Sequence, residues 1–369
     1  MSDTNTGARV AGLDLMKALG LYLVVVYHLS FRDGADLLSS IPGTAVYYIA
    51  GALMSICVPL FFVSSGALSL TRPMDLRRNT LRAAHLAILT AVWTPVSLGI
   101  VLLLRPEWPG FREFLNICWE LRVGYIQHLW YMSAFLFMTL AMPLFHSLRR
   151  GDQRIYRYSL LLLGVLTFGN LLLSDGEYLL RWVTGHLSNP GTREYFWYVN
   201  YFAYHYWYIP IYFALGAFLL EHRETLRRRI RLAWIAIPVC VVCLCLFAMA
   251  RTRLRGSAFD LVFNNYGDPF TLVLTGAVSV LLLSARPGEL LRRAAASMSR
   301  CSLGIYLIHW LIIEALLRFA PGLVKQVLLS PLTAIPVLGL SWGLTHLALK
   351  APYLRDLFTA APDWIRRRS

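Results

Sequence analysis

Long apolar runs recur along this chain and limit what it can fold into. A helix that crosses a bilayer needs about 20 consecutive, mostly apolar residues. By that standard the sequence contains about ten candidate spans. They cover residues 14–31, 46–71, 83–104, 128–148, 158–175, 206–221, 231–250, 267–285, 301–320 and 330–350. We therefore predict an all-α protein, a polytopic integral membrane bundle of about ten transmembrane helices in one domain over residues 1–369.

Basic residues dominate the charge, and their placement follows the spans. The formal net charge of +15 is high enough to suggest nucleic acid as a partner. With about ten spans and a cytoplasmic N-terminus, however, about two thirds of the 35 Lys and Arg residues fall in cytoplasmic segments. The charge therefore predicts a multi-pass protein with both termini cytoplasmic, in contact with membrane lipids and not with nucleic acid.

The six cysteines are scattered, and Cys240, Cys243 and Cys245 lie in one apolar run. Free cysteine in a helix packs as a small hydrophobic residue, so we expect no metal site. No small-residue cleavage site follows the first apolar run, so we expect a retained span and not a signal peptide.

The first span, "LDLMKALGLYLVVVYHLS", carries a lysine near one end and a histidine near the other. Lys17 and His28 are about three helical turns apart, so both point to one side, about 16 Å apart along the axis. Ionisable groups at membrane depth usually face a bundle interior or a wet cavity and mark functional sites. The alternatives are an interhelical hydrogen bond for His28 and a Lys17 that snorkels to the surface and pairs with Asp14.

Two later segments also place polar residues in apolar spans. "YIQHLWYMSAF" puts His128 close to Trp130, which an interfacial aromatic belt would also contain. "CSLGIYLIHWLIIE" puts Ser302 and His309 on one helix face, with Tyr306 between them.

The second span, "CVPLFFVSSGALSL", contains a proline and a small-residue cluster. Pro59 can break the helix, and Ser64, Ser65 and Gly66 let a backbone or a ligand approach closely. Small-residue helix packing is the alternative interpretation of the cluster.

Four of these elements, taken in order, resemble a known family. They are Lys17 and His28 with ten residues between them, "FVSSG" at 62–66, "HLW" at 128–130 and "SLGIYLIH" at 302–309. Over nearly the whole chain they are similar to acyltransferase family 3, the ten-span membrane O-acyltransferases that modify bacterial surface polysaccharides. The family usually has Arg at the position of Lys17, so the charge is kept but the planar fork is lost. Its paired arginines after span two are matched only in part, by Arg78 and Arg82 in "RRNTLR".

The resemblance implies a reaction. An acyl group, expected to be acetyl, moves from acyl-coenzyme A in the cytoplasm to a sugar hydroxyl at the bacterial plasma (inner) membrane. The acceptor is a surface or exported polysaccharide or its lipid-linked precursor. Acyl-CoA is a co-substrate, and no tightly bound cofactor is expected. The hydroxyl must lose a proton as it attacks, which suits His28 as base, with an acyl-histidine intermediate as the alternative.

The resemblance also suggests roles for the other residues. Lys17 is expected to orient the donor or to fix a helix pair, and His309 to position substrate. The remaining substrate-binding candidates are Arg77, Arg78 and Arg82 for the donor phosphates, with Ser65, His128, Trp130, Ser302 and Tyr306. The aromatic residues 195–208 form either an interfacial belt or a platform for sugar rings.

Two other functions stay open at this point. One is a polytopic transporter or flippase of a glycan or small solute, with His28 and His309 in its path. The other is a structural subunit of a polysaccharide assembly complex. Neither predicts turnover of acyl-coenzyme A.

Overall fold

The structure, a computed structural model, describes residues 9–30, 40–105, 108–121, 124–186, 207–263, 265–324, 327–360, 362 and 365. Within these ranges the chain is helical and contains no strand, which confirms the all-α prediction. The helices are α1 (Ala11–Ser30), α2 (Ile41–Met54), α3 (Cys57–Leu70), α4 (Leu76–Leu104), α5 (Phe111–Glu120), α6 (Trp130–Arg150), α7 (Gln153–Gly164), α8 (Asn170–Val183), α9 (Ile209–Glu221), α10 (Arg223–Arg228), α11 (Ile230–Arg255), α12 (Pro269–Ser284), α13 (Glu289–Arg300), α14 (Ser302–Phe319), α15 (Pro321–Val324) and α16 (Ser330–Lys350). Short 3-10 segments cover Gln127–Leu129, Val327–Leu329 and Arg355–Phe358, and a π-helical segment, Val165–Gly169, joins α7 to α8.

The predicted spans each correspond to an apolar helix. In the described part of the chain, 8 helical segments are long and apolar enough to cross a membrane, and the shorter apolar helices α9 and α12 accompany them. The fifth span is longer than the predicted residues 158–175, because polar residues at both ends continue the helix beyond the apolar run to cover Gln153–Val183, with the π-helical segment inside it. The prediction of a helical membrane bundle is confirmed.

The second span is broken between α2 and α3, just before Pro59. Pro59 lies in the first turn of α3, where its missing N–H removes no helical hydrogen bond. Ser55 occupies the break: its N–H donates to the Gly51 carbonyl at 2.9 Å and its hydroxyl to the Ala52 carbonyl at 2.8 Å. The broken backbone is thus satisfied inside the protein, as a bilayer environment requires.

Helix α1 lies in the middle of the bundle. It packs against α3, α12, α13, α14 and α16. Met16 and Leu21 on this helix are almost completely buried. Polar side chains on the same helix therefore face other parts of the protein.

Helices α3 and α9 cross at two glycines. A Cβ at Gly66 would overlap the backbone of Phe213, and a Cβ at Gly216 would overlap the carbonyl of Val63. The glycine of "FVSSG" is therefore a helix-packing residue, as the alternative interpretation of that motif predicted.

The segment after α16 folds back against α4. The indole N–H of Trp93 donates to the Leu357 carbonyl at 2.8 Å, and Nε2 of His85 donates to the Thr359 carbonyl at 2.9 Å. The Phe358 ring lies edge-on to Trp93 at 5.1 Å. These contacts bring Ala360 into the bundle.

Candidate active site

An internal cavity of about 150 Å³ collects most of the residues that the sequence singled out. Its wall is built from α1, α3, α4, α6 and α14, with the segments around residues 127 and 263–266 and with Ala360. The predicted site residues in the wall are Lys17, His28, Ser65, Arg82, His128, Trp130, Ser302 and Tyr306. Segments far apart in the sequence thus meet at one place.

The cavity follows helix α1. Lys17 and His28 both line it, and eleven residues of helix separate them by about 16 Å. The prediction that both point to one side of the helix is confirmed. The cavity therefore has a Lys17 end and a His28 end, terms that we keep below.

Histidine rings meet at the His28 end. The centroid of the His309 ring lies 5.5 Å from that of His28 and 5.9 Å from that of His128. His309 is buried, and its Nδ1 donates to the Ile305 carbonyl at 3.2 Å. Since a carbonyl oxygen only accepts, the neutral ring of His309 carries its proton on Nδ1 and keeps Nε2 as an acceptor.

Trp310, which the sequence did not single out, fixes two of these rings. Its indole lies edge-on to His28 at 5.0 Å and is stacked on His128 at 5.2 Å, with an interplanar angle of 17°. The ring is fully buried, and its Nε1 donates to the Tyr125 carbonyl at 2.7 Å. A tryptophan in an apolar helix resembles ordinary core, and its position directly after His309 is the only sequence signal for this role.

The Lys17 end of the cavity is basic. Lys17 and Arg82 both line the cavity and are close enough for their charges to interact, and no described residue in the wall is acidic. Asp14 makes its direct ion pair with Arg9, through bonds of 2.6 and 2.9 Å, and acts on Lys17 only through a longer-range attraction between the two charges. The guanidinium carbon of Arg82 lies 5.2 Å from the centre of the Phe135 ring, and within the described ranges its buried Nε has no hydrogen-bond partner.

The structure separates Arg82 from the neighbouring arginines. Arg77 and Arg78 are exposed in the first turn of α4 and lie outside the wall of the cavity. The backbone N–H of Arg78 is held by the side chain of Asp75 at 3.0 Å, an ordinary helix N-cap. Arg82 lies one turn further along the helix and reaches the cavity.

Aromatic side chains surround the His28 end. Tyr27 donates to Asp260 at 2.6 Å, and its ring lies 5.1 Å from that of His28. Tyr266 is stacked on Trp130 at 5.7 Å and 25°. Phe263 lines the cavity while 55% of it is exposed, so the cavity wall reaches the protein surface at this residue, a place that we call the mouth of the cavity. Sequence reasoning missed Tyr27, Phe263 and Tyr266, because isolated aromatic residues carry no pattern.

Of the predicted aromatic segment 195–208, the structure describes only the last two residues. Residues 195–206 are outside the described residues. Trp207 packs against Phe137 at 5.9 Å, and Tyr208 packs against Tyr212 at 6.2 Å. Neither Trp207 nor Tyr208 is among the described residues that line the cavity.

The small and polar motif residues divide into two groups. Ser65 and Ser302 line the cavity, whereas Ser64 is buried and bonds to the Phe61 carbonyl at 3.0 Å. Gly304 packs against Thr345, where a Cβ would clash. The Tyr306 hydroxyl donates to the backbone carbonyl of His128. Among the residues that the structure describes, no group of three or more His, Cys, Asp and Glu side chains is placed to hold a metal ion.

Comparison with known proteins gives one finding. A family model described as "Acyltransferase domain" matches residues 10–346, which include every residue named at the cavity except Ala360. No curated protein and no solved structure shows a match to the chain.

Proposed function

Because the chain belongs to acyltransferase family 3 and is therefore a membrane acyltransferase, we propose that it moves an acyl group from coenzyme A to a sugar hydroxyl. The group is acetyl, the donor arrives from the cytoplasm, and the acceptor is a surface or exported polysaccharide or its lipid-linked precursor. The protein lies in a bacterial plasma membrane with both termini in the cytoplasm.

A single observation supports this proposal most strongly. One cavity holds a pair of cations at one end and His28 at the other, about 16 Å apart along α1. An acyl-CoA has the same polarity, with phosphates at one end of an extended arm and the thioester at the other. The positive-inside charge pattern assigns the Lys17 end to the cytoplasm.

The reaction at the His28 end is an acyl transfer with His28 as general base. The ring of His28 takes the proton of the acceptor hydroxyl while that oxygen attacks the thioester carbonyl carbon. The carbon–sulfur bond then breaks, and the thiolate takes the proton back from His28. The products are the sugar ester and coenzyme A, and no net proton is consumed. His28 is partly buried among aromatic rings, and these rings keep water away from the thioester.

The donor phosphates belong at the Lys17 end. Lys17 and Arg82 are positive, line the wall and face no acidic residue among those described there. Charge-assisted hydrogen bonds to phosphate suit both side chains, Arg as a planar fork and Lys as a point charge. Arg77 and Arg78 contribute instead to the excess of positive charge in cytoplasmic loops, which orients the protein in the membrane.

The acceptor enters at the mouth beside Phe263. Trp130 and Tyr266 offer flat faces for sugar rings, and Gln127 in the same wall offers an amide for hydroxyl groups. This region takes the role that sequence reasoning considered for residues 195–208.

Sided membrane vesicles test the proposal. Radiolabelled acetyl-CoA does not cross a membrane, so inverted vesicles should transfer label to glycan as an alkali-labile ester, and right-side-out vesicles should not. Equal labelling of both preparations would show that the donor also reaches the site from the outer side, which contradicts entry from the cytoplasm alone. Glycan movement without acetyl-CoA consumption would favour the transporter alternative.

Substitution of Lys17 tests its charge. Lys17→Arg should keep the KM for acetyl-CoA within about threefold of wild type, since arginine, the family's usual residue at this position, keeps the positive charge. Lys17→Met should raise KM about tenfold or more because a charge-assisted contact to phosphate is lost. If Met works as well as Lys in the vesicle assay, the residue is merely snorkelling.

Arg82 and its exposed neighbours offer a matched comparison. Arg82→Gln should raise the KM for acetyl-CoA by about 10- to 100-fold, the range for a lost hydrogen bond between charged groups. Arg77→Gln and Arg78→Gln should leave KM unchanged, because both side chains lie outside the cavity. Equal effects at all three positions would show that general basicity, and not the cavity, attracts the donor.

A further inference from the structure

We propose that His128 is a second catalytic residue, whose ring N–H donates a hydrogen bond to the thioester carbonyl oxygen as negative charge develops there. This inference rests on the proposed function. His128 does not transfer a proton: the hydroxyl proton passes through His28 to sulfur, and His128 keeps its own.

The ring of His128 holds a hydrogen-bond donor that has no partner within the described residues. His128 is only 2% exposed and lines the cavity, yet in the described part of the chain neither Nδ1 nor Nε2 has a hydrogen-bond partner. Buried polar atoms are nearly always paired, and an exception calls for an explanation such as a missing ligand. A neutral imidazole always carries one N–H, so an acceptor atom of the substrate would satisfy it.

The ring of His128 is also held in a fixed position. Trp310 stacks on His128 and also holds the edge of His28, so both histidines share one rigid wall. Both histidines also line the same cavity. A base and a hydrogen-bond donor for one carbonyl must be held close together in this way.

The backbone around His128 is held by hydrogen bonds to its carbonyl groups. Two side chains on α14 bind this backbone directly: Tyr306 donates to the His128 carbonyl, and Trp310 donates to the Tyr125 carbonyl. A third side chain, one turn further along α14, acts through an arginine. Glu314 binds Arg105 with bonds of 2.7 and 2.9 Å, and Arg105 donates to the Gly124 carbonyl at 2.8 Å.

This clamp holds residues 124–128 at carbonyls near both ends of the segment. A donor that is already in place needs no reorganisation when charge develops on the substrate, and such preorganisation is the main source of oxyanion stabilisation.

Three substitutions of His128 separate hydrogen-bond donation from packing. His128→Phe keeps a flat ring for Trp310 but has no N–H, and we expect the maximal rate in inverted vesicles to fall about 10²- to 10³-fold with the KM for acetyl-CoA unchanged. His128→Gln retains an amide N–H and should be about tenfold faster than Phe, with the pH profile of wild type. His128→Met gives a second donor-free side chain. His222→Phe, at an exposed position, is the control and should match wild type.

The outcomes are distinct. A wild-type rate for His128→Phe and His128→Met would overturn the proposal, as would a raised KM at unchanged maximal rate. A changed pH profile for His128→Gln would assign His128 to proton transfer instead. Failure of the proposed function shows differently, as a wild-type protein that transfers no acetyl group.

Discussion

His28→Gln is expected to lower acetyl transfer by about 10²- to 10⁴-fold, the usual contribution of a general base, while the protein inserts and purifies like wild type. Gln keeps the bulk and polarity of the side chain but cannot carry a proton from the hydroxyl to sulfur. The partly buried ring lines the cavity and lies against Trp310 and His309. The measurement is label transfer from acetyl-CoA in inverted vesicles.

His222→Gln is the matched control, because His222 is exposed and is not among the residues that line the cavity. Acid quenching during turnover separates the two roles left open for His28. Labelled acetyl on His28 would establish an acyl-histidine intermediate, and its absence at full turnover supports direct transfer. Wild-type-like transfer by His28→Gln would remove the catalytic role in either form.

Gly216→Ala is expected to prevent correct folding, since the added Cβ would overlap the Val63 carbonyl. Gly66→Ala should act in the same way against Phe213. Overpacking of side chains typically costs about 1–3 kcal/mol, and here the clash is with backbone, which cannot rotate away. We expect little monodisperse protein in detergent and a clearly lowered thermal midpoint for what is recovered.

Gly99 provides the control for this prediction. It lies within α4, and a Cβ there would meet nothing within 4 Å. Gly99→Ala should therefore leave the thermal midpoint unchanged or slightly raised, because Ala favours helix. A wild-type midpoint for Gly216→Ala would mean that α3 and α9 do not cross as closely as described.

Hydropathy and charge were sufficient to predict the helical membrane bundle, because the cost of apolar exposure and of unpaired backbone in lipid leaves few alternatives. The break in span two was expected near Pro59 and lies just before it, since a helix tolerates proline in its first turn. The length of span five was underestimated, because the polar ends of Gln153–Val183 extend beyond the apolar run.

The site was predictable where ionisable residues lie in apolar runs. Lys17, His28, His128 and His309 carry that signal. The first three line the cavity, whereas His309 contacts the rings of His28 and His128 and is not among the lining residues. The partner of Asp14 was not predictable, because Arg9 and Lys17 are both within reach of it in sequence and only packing decides between them.

Other features of the candidate site depend on tertiary contacts, so the sequence could not predict them. Trp310 looks like an ordinary aromatic residue of a membrane helix until the structure places it against His28. Tyr27 precedes His28 in the sequence, but its hydrogen bond to Asp260 is visible only in the structure. Arg82 differs from Arg78 only by one turn of α4, yet that turn takes it from the exposed surface to the cavity. Sequence patterns identify a helix face but not how far along the helix a cavity begins.

A structure of the protein with coenzyme A bound tests the central claim most directly. The account predicts phosphate density beside Lys17 and Arg82, with the arm running along α1 and the sulfur close to His28 and His128. Adenine and phosphate density beside the segment around Phe263, with none near Arg82, would contradict the arrangement of donor and acceptor proposed for this cavity.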